Sequence, residues 1–123
     1  MGKNNKLKLG IVGYGNIGRR HHLTSQKFFD IVCICDNKVD LNTIEDPAIR
    51  CYQDLDEMLR NEHRNLDIVS IATPNHLHFE HTMKVFDYNL NVLVEKPMAL
   101  NERDCMQMIR RSEELNKRLF VVK

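Results

Sequence analysis

The chain has 123 residues, 42% of them hydrophobic and 28% charged, which suits one ordinary globular domain with one core. Eighteen Lys and Arg against 17 Asp and Glu leave a formal charge of +1, which gives no bulk attraction to nucleic acid or an anionic membrane. The apolar runs are far too short to span a bilayer. The start M-G-K-N-N-K has no signal-peptide core and, with Lys6 where Ser or Thr is needed, no myristoylation pattern, so a cytoplasmic location is expected.

The chain opens with Leu9, Ile11 and Val12, an apolar run that predicts a buried strand. Gly13, Gly15 and Gly18 follow it as G-x-G-x-x-G. In that spacing the first glycine makes the tight turn, the second lets a pyrophosphate approach bare backbone, and the third lets the helix beginning near Asn16 pack on the sheet. The free N–H groups of such a helix start hold an anion. Ile17, His21, Thr24 and Phe28 recur at helical spacing and predict the buried face of this helix, with His21 structural and Arg19 and Arg20 solvated. A second apolar run, Ile31 to Ile34, leads to Asp36, about 20 residues beyond the glycine turn, where a dinucleotide fold places its ribose-binding carboxylate. Lys38 stands near enough to suggest a 2′-phosphate contact, but a carboxylate at the strand end repels that phosphate, and NAD is favoured over NADP. Among the four cysteines, Cys33 and Cys35 point to one face of their strand and no C-x-x-C pair exists. They read as small apolar core residues.

The polar segment from Asn37 to Pro47 predicts a loop or a poorly formed helix, and Arg50 to Tyr52 a short third strand. A helix follows with Leu55, Met58 and Leu59 on one face and Asp54 as its cap. Ile68, Val69, Ile71 and Ala72 form a buried strand that Pro74 stops. The loop leaving a strand's carboxyl end faces ligand in a doubly wound sheet, which sets Thr73, Asn75 and His78 beside the dinucleotide. The next helix carries the stripe Phe79, Thr82, Met83, Phe86 and Leu90. His76, His78 and His81 have metal-like spacing, but no fitting carboxylate or cysteine set accompanies them, and no metal site is expected. A further strand, Asn91 to Val94, runs into Glu95-Lys96-Pro97 and so delivers a lysine to the ligand-facing edge. Asn101 and Asp104 form a variant capping box for a last helix with Cys105, Met108, Ile109 and Leu115 buried, before a final strand from Leu119 to Val122. The whole predicts an α/β fold, a Rossmann-type doubly wound parallel sheet in one domain over 1–123.

With G-Y-G-N-I-G, Asp36, T-P-N-x-x-H and E-K-P in this order, the sequence resembles the N-terminal half of the Gfo/Idh/MocA oxidoreductases. The resemblance implies a nicotinamide-dependent dehydrogenase acting on a sugar, a polyol such as inositol, or a nucleotide-sugar. Carried over by position, it makes Asn16 and Ile17 backbone donors to the pyrophosphate beside Gly13, Gly15 and Gly18, and Asp36 the adenosine-ribose ligand. Thr73, Asn75 and His78, with Glu95, fall on the cofactor side, Lys96 corresponds to the family's catalytic lysine, and the Lys96-Pro97 bond is implied to be cis. The wording N-K-R-L-F-V-V-K is similar to members that oxidise nucleotide-linked amino sugars in lipopolysaccharide and other surface-polysaccharide synthesis. Family members continue into a second α/β domain that supplies most of the substrate pocket and the oligomer-forming sheet. The chain is therefore expected to be a shortened form that holds the cofactor without turnover by itself, within a protein that self-associates. Two rival readings are a non-catalytic dinucleotide-binding or redox-sensing module, and a methyltransferase, whose glycine spacing is tighter and which gives no reason for E-K-P.

Overall fold

A computed structural model of the protein describes residues 6–122. It contains the strands β1 (Leu7–Val12), β2 (Phe29–Cys35), β3 (Arg50–Tyr52), β4 (Ile68–Ile71), β5 (Asn91–Glu95) and β6 (Leu119–Val122). The helices are α1 (Asn16–Ser25), α2 (Leu55–Glu62), α3 (His78–Asp87) and α4 (Glu102–Leu115). All strand pairs are parallel, in the order β3-β2-β1-β4-β5-β6. The order reverses at β1, where the chain passes from β3 to β4, and a cleft therefore opens at the carboxyl ends of β1 and β4. This is the doubly wound α/β sheet that the alternating strand and helix patterns predict.

Strand periodicity divides the core between two faces. Leu9, Ile11, Ile34 and Ile68 pack on one side with Tyr14 and the loop residues Val39, Leu41 and Ile44. Val12, Cys33, Cys35, Val69, Ile71, Val92 and Val94 face α2, α3 and α4 on the other. Cys33 and Cys35 share that face, free and buried, and burial pushes both thiols up, Cys35 to about 12. A register shift between Leu9 and Gly10 skips Val32, so Ile31 and Ile34 both reach the α1 side.

Three local expectations need correction. The buried stripe of α1 is Gly18 and His21, while Ile17, Thr24 and Phe28 are exposed, Phe28 by 71%. The contact stripe consists of Gly18, which seats the helix on β1, and His21, which bonds to Ser70 and Glu95, and a search for apolar periodicity passes over both. Asp54 occupies the N-cap of α2 without a side-chain cap bond. Ile109 lies exposed, because the packed stripe of α4 centres on Met108 and Ser112. Asn101 does cap α4, accepting from the Asp104 N–H at 2.8 Å, and its own amide donates to the Asp104 carboxylate at 3.2 Å. The Lys96-Pro97 bond is cis, as the resemblance implies.

Candidate active site

The glycine turn is built by contact. Gly13 has φ +92°, and a Cβ there would lie 2.6 Å from the Ala72 carbonyl oxygen. Its N–H donates to the Cys35 carbonyl at 2.8 Å, so the turn out of β1 is fixed against both neighbouring strands. At Gly18 a Cβ would fall 1.8 Å from the Gly13 carbonyl oxygen, which seats α1 directly on the turn. Gly15 differs: nothing stands within 4 Å of a Cβ placed there. It is also the N-cap of α1, and it supplies no side-chain bond to a first turn that contains no acid. The start of α1 therefore presents free N–H groups and the positive end of the helix dipole to open space.

Asp36 faces the same space with its carboxylate already organised. Oδ2 accepts from the Tyr14 N–H at 2.7 Å, and Oδ1 accepts from the Lys38 and Val39 N–H groups at 2.8 and 2.9 Å. Burial pushes this carboxyl up, but the three backbone donors and the Lys38 charge together hold it below the ordinary aspartate value. It stays ionised, with one lone pair on Oδ2 left for a hydroxyl donor. Asp36→Asn would keep the bonds to Lys38 and Val39 but turn an amide NH2 toward the Tyr14 N–H, setting donor against donor. The expected result is at least about a tenfold loss of NADH affinity by fluorescence titration, with a lower thermal midpoint.

A cavity of about 680 Å³ joins these parts. Gly13, Gly15, Asn16, Ile17, Asp36, Thr73 and Asn75 all line it, so the sequence-derived residues of three separate loops meet at one place. Gly18 does not line it and acts from below, through packing. His78 is not in the wall either: it is 1% exposed, with Nδ1 and Nε2 each 2.7 Å from a carbonyl oxygen, of Pro97 and Thr73 respectively. Glu95 also turns away, toward Nε2 of His21 at 2.5 Å. Lys96 is exposed at the exit of β5, outside the cavity lining. It is nevertheless close to that lining, since the Pro97 and Thr73 carbonyls are separated by one imidazole ring.

Sequence reasoning missed part of the wall. Gln53, Asp54 and Leu55 from the end of β3, and Lys84 from α3, line the cavity. The carboxyl end of a third strand was the available signal. His81 is there too, with Nδ1 3.0 Å from the Thr73 hydroxyl, and burial is the largest influence lowering its pKa. Among the described residues no group of three His, Cys, Asp or Glu side chains is placed to hold a metal ion.

Open space over Gly15, an uncapped helix start and an ionised acceptor at the next strand end fit a diphosphate with a ribose on one side. A switch-point cleft with this donor set defines a dinucleotide-binding domain. Residues 7–123 match the Gfo/Idh/MocA family, described as an oxidoreductase family with an NAD-binding Rossmann fold, and the chain belongs to that family. Over 106 residues it is 33% identical to a 2,7-anhydro-N-acetylneuraminate hydratase of Mediterraneibacter gnavus, covering 85% of this chain and 28% of that protein. It is 27% identical to an inositol 2-dehydrogenase of Salmonella typhimurium, covering 94% of this chain and 36% of that one. The structure of the WlbA dehydrogenase from Bordetella pertussis in complex with NADH and UDP-GlcNAcA is similar, with a TM-score of 0.85 at 32% identity over 96% of this chain and 37% of that one. The chain thus spans about a third of the length of these relatives.

Proposed function

We propose that the chain is the cofactor half of a dehydrogenase that moves a hydride between NAD and a secondary alcohol of a sugar, polyol or nucleotide-sugar. The supporting observation is that the Pro97 carbonyl, in the residue after Lys96, lies one imidazole away from the Thr73 loop that lines the cofactor cavity. NAD, when bound, supplies the hydride acceptor. The free N–H groups of Asn16 and Ile17 hold the diphosphate over Gly15, and Asp36 accepts from the adenosine ribose. Thr73 and Asn75 border the path toward the nicotinamide. Lys96, in its neutral form, takes the proton of the reacting hydroxyl as the hydride leaves its carbon, and the resulting ammonium stays beside the oxygen. The relatives that act on inositol and the one crystallised with UDP-GlcNAcA support this range of substrates, with a nucleotide-linked amino sugar as the narrower reading.

The 123 residues bind the cofactor by themselves in this reading, whereas turnover requires a form as long as the relatives, assembled as a homo-oligomer in the cytoplasm. Lys96→Met in that longer form is expected to lower sugar-dependent NAD reduction by about a hundredfold or more while leaving NADH affinity within about twofold. Unchanged turnover would remove Lys96 from the chemistry. Cofactor binding with no turnover on any sugar, polyol or nucleotide-sugar would instead favour a dinucleotide-sensing module.

A further inference from the structure

Lys96 is bracketed by two buried histidines. Glu95, the residue before it, meets Nε2 of His21 at 2.5 Å, and the Pro97 carbonyl, just after it, lies 2.7 Å from Nδ1 of His78. Each histidine belongs to a helix that begins at a cofactor loop: His21 to α1 behind the glycine turn, His78 to α3 behind the Thr73 loop. The second ring nitrogen of each is also engaged, Nδ1 of His21 with the Ser70 hydroxyl at 2.5 Å and Nε2 of His78 with the Thr73 carbonyl at 2.7 Å.

The row Ser70, His21, Glu95 has the order of a hydrolase triad, but Ser70 is 0% exposed in the middle of the sheet and no substrate reaches it. Three polar groups in line on a buried sheet face still require a reason, since each one costs stability unless the others pair with it. The arrangement supplies one. Gly18 seats α1 on β1, and β5 lies two strand spacings away, about 10 Å. Among the described residues His21 makes the hydrogen bonds that carry α1 across β4 to β5.

We infer that His21 is a positioning residue that registers the strand end presenting Lys96 to the phosphate-binding start of α1, so that an occupied glycine turn and a correctly placed lysine go together. His78 lies between the Pro97 carbonyl, just after the lysine, and the Thr73 carbonyl. The inference rests on the proposed role of Lys96 beside the cofactor. It explains why a glutamate precedes the lysine here: a side chain on the α1 face of β5 must reach the imidazole, and a carboxylate does so as a charge-assisted acceptor.

The 123-residue chain labelled with [ε-13C]lysine tests this, with the Lys96 signal assigned through Lys96→Arg and NADH affinity followed by fluorescence. In the wild-type chain NADH is expected to shift the Lys96 signal. In His21→Leu, NADH should bind within about twofold of wild type while the Lys96 shift falls by at least half, and His21→Gln, which keeps one donor for Glu95, should restore most of it. An equal shift in wild type and His21→Leu overturns the positioning role and leaves the reading of Lys96 standing. NADH binding to the wild-type chain with no Lys96 shift overturns both. Should His21→Leu fail to fold, Ser70→Ala loosens the same ring by one bond; a reduced Lys96 shift there supports the role, and an undiminished one overturns it.

Discussion

Gly18→Ala is expected to abolish NADH binding and lower stability by about 3 kcal/mol or more, whereas Gly15→Ala should leave the fold intact and lose only the ligand. The contrast follows from what a methyl group meets. At Gly18 it falls 1.8 Å from the Gly13 carbonyl oxygen, a backbone atom fixed by the turn, so α1 must lift off β1. That movement carries the helix start away from β1 and His21 away from Ser70 and Glu95. At Gly15 the methyl meets nothing within 4 Å, and φ of −79° is open to any residue. Alanine is a poorer N-cap than glycine, but it also restricts the unfolded chain, and these opposing effects leave a net change within about 1 kcal/mol. The methyl does occupy the space through which a diphosphate would approach the free N–H groups. A loss of at least about tenfold in NADH affinity, or 1.4 kcal/mol, with a thermal midpoint within about 5 °C of wild type is the signature. If Gly15→Ala binds NADH as well as wild type, the diphosphate does not lie over that residue.

How much of this was legible in the sequence depended on whether a residue acts through its own type or through its direction. The strands and the glycine turn were legible because a run such as Ile68, Val69 and Ile71, stopped by Pro74, is short enough for a buried strand, and because a helix, a second strand and Asp36 follow the glycine triplet in register. Asp36 was legible from its place at a strand end. The face of α1 was not, because its contact stripe consists of Gly18 and His21, neither of which registers as apolar. His78 and Glu95 read from the sequence as cofactor-side residues because each lies close after a strand's carboxyl end or at it. Their side chains turn into the protein, His78 to two backbone carbonyls and Glu95 to His21, and that choice depends on partners 19 and 74 residues away in sequence. The same distance along the chain concealed Gln53, Leu55 and Lys84 in the cavity wall.

Arg50→Met should destabilise the protein by about 3 kcal/mol at neutral pH, more than removal of any exposed ion pair, and should reverse the acid dependence of its stability. Glu62 ends α2 with its side chain only 2% exposed, while the Arg50 side chain is 50% exposed on the edge strand β3. Arg50 reaches Glu62 with two donors, Nε to Oε2 and Nη2 to Oε1, the latter at 2.6 Å, and the Tyr52 hydroxyl donates to the same carboxylate at 2.6 Å. Asn65 adds a fourth bond at 3.3 Å. The Arg50 bonds are the largest cause holding the Glu62 carboxyl down at about 2, against burial, which pushes it up. A carboxyl depressed in the folded state contributes stability that is complete above its ordinary value near 4.5 and is lost as pH falls toward 2. In Arg50→Met the buried carboxylate keeps Tyr52 and Asn65 but no cation, and burial, the next largest influence on this carboxyl, is then expected to outweigh those two bonds and raise its pKa. The variant therefore gains stability relative to wild type as pH falls from 7 to 4, because protonation removes the uncompensated charge. Glu62→Leu added to Arg50→Met should recover part of the loss at pH 7, since no buried charge then remains, although the Tyr52 hydroxyl and the Asn65 amide lose their acceptor. Chemical denaturation of the single and double variants at pH 7 and pH 4 measures both signs. A single variant whose deficit is the same at the two pH values would mean that the guanidinium does not compensate the Glu62 charge.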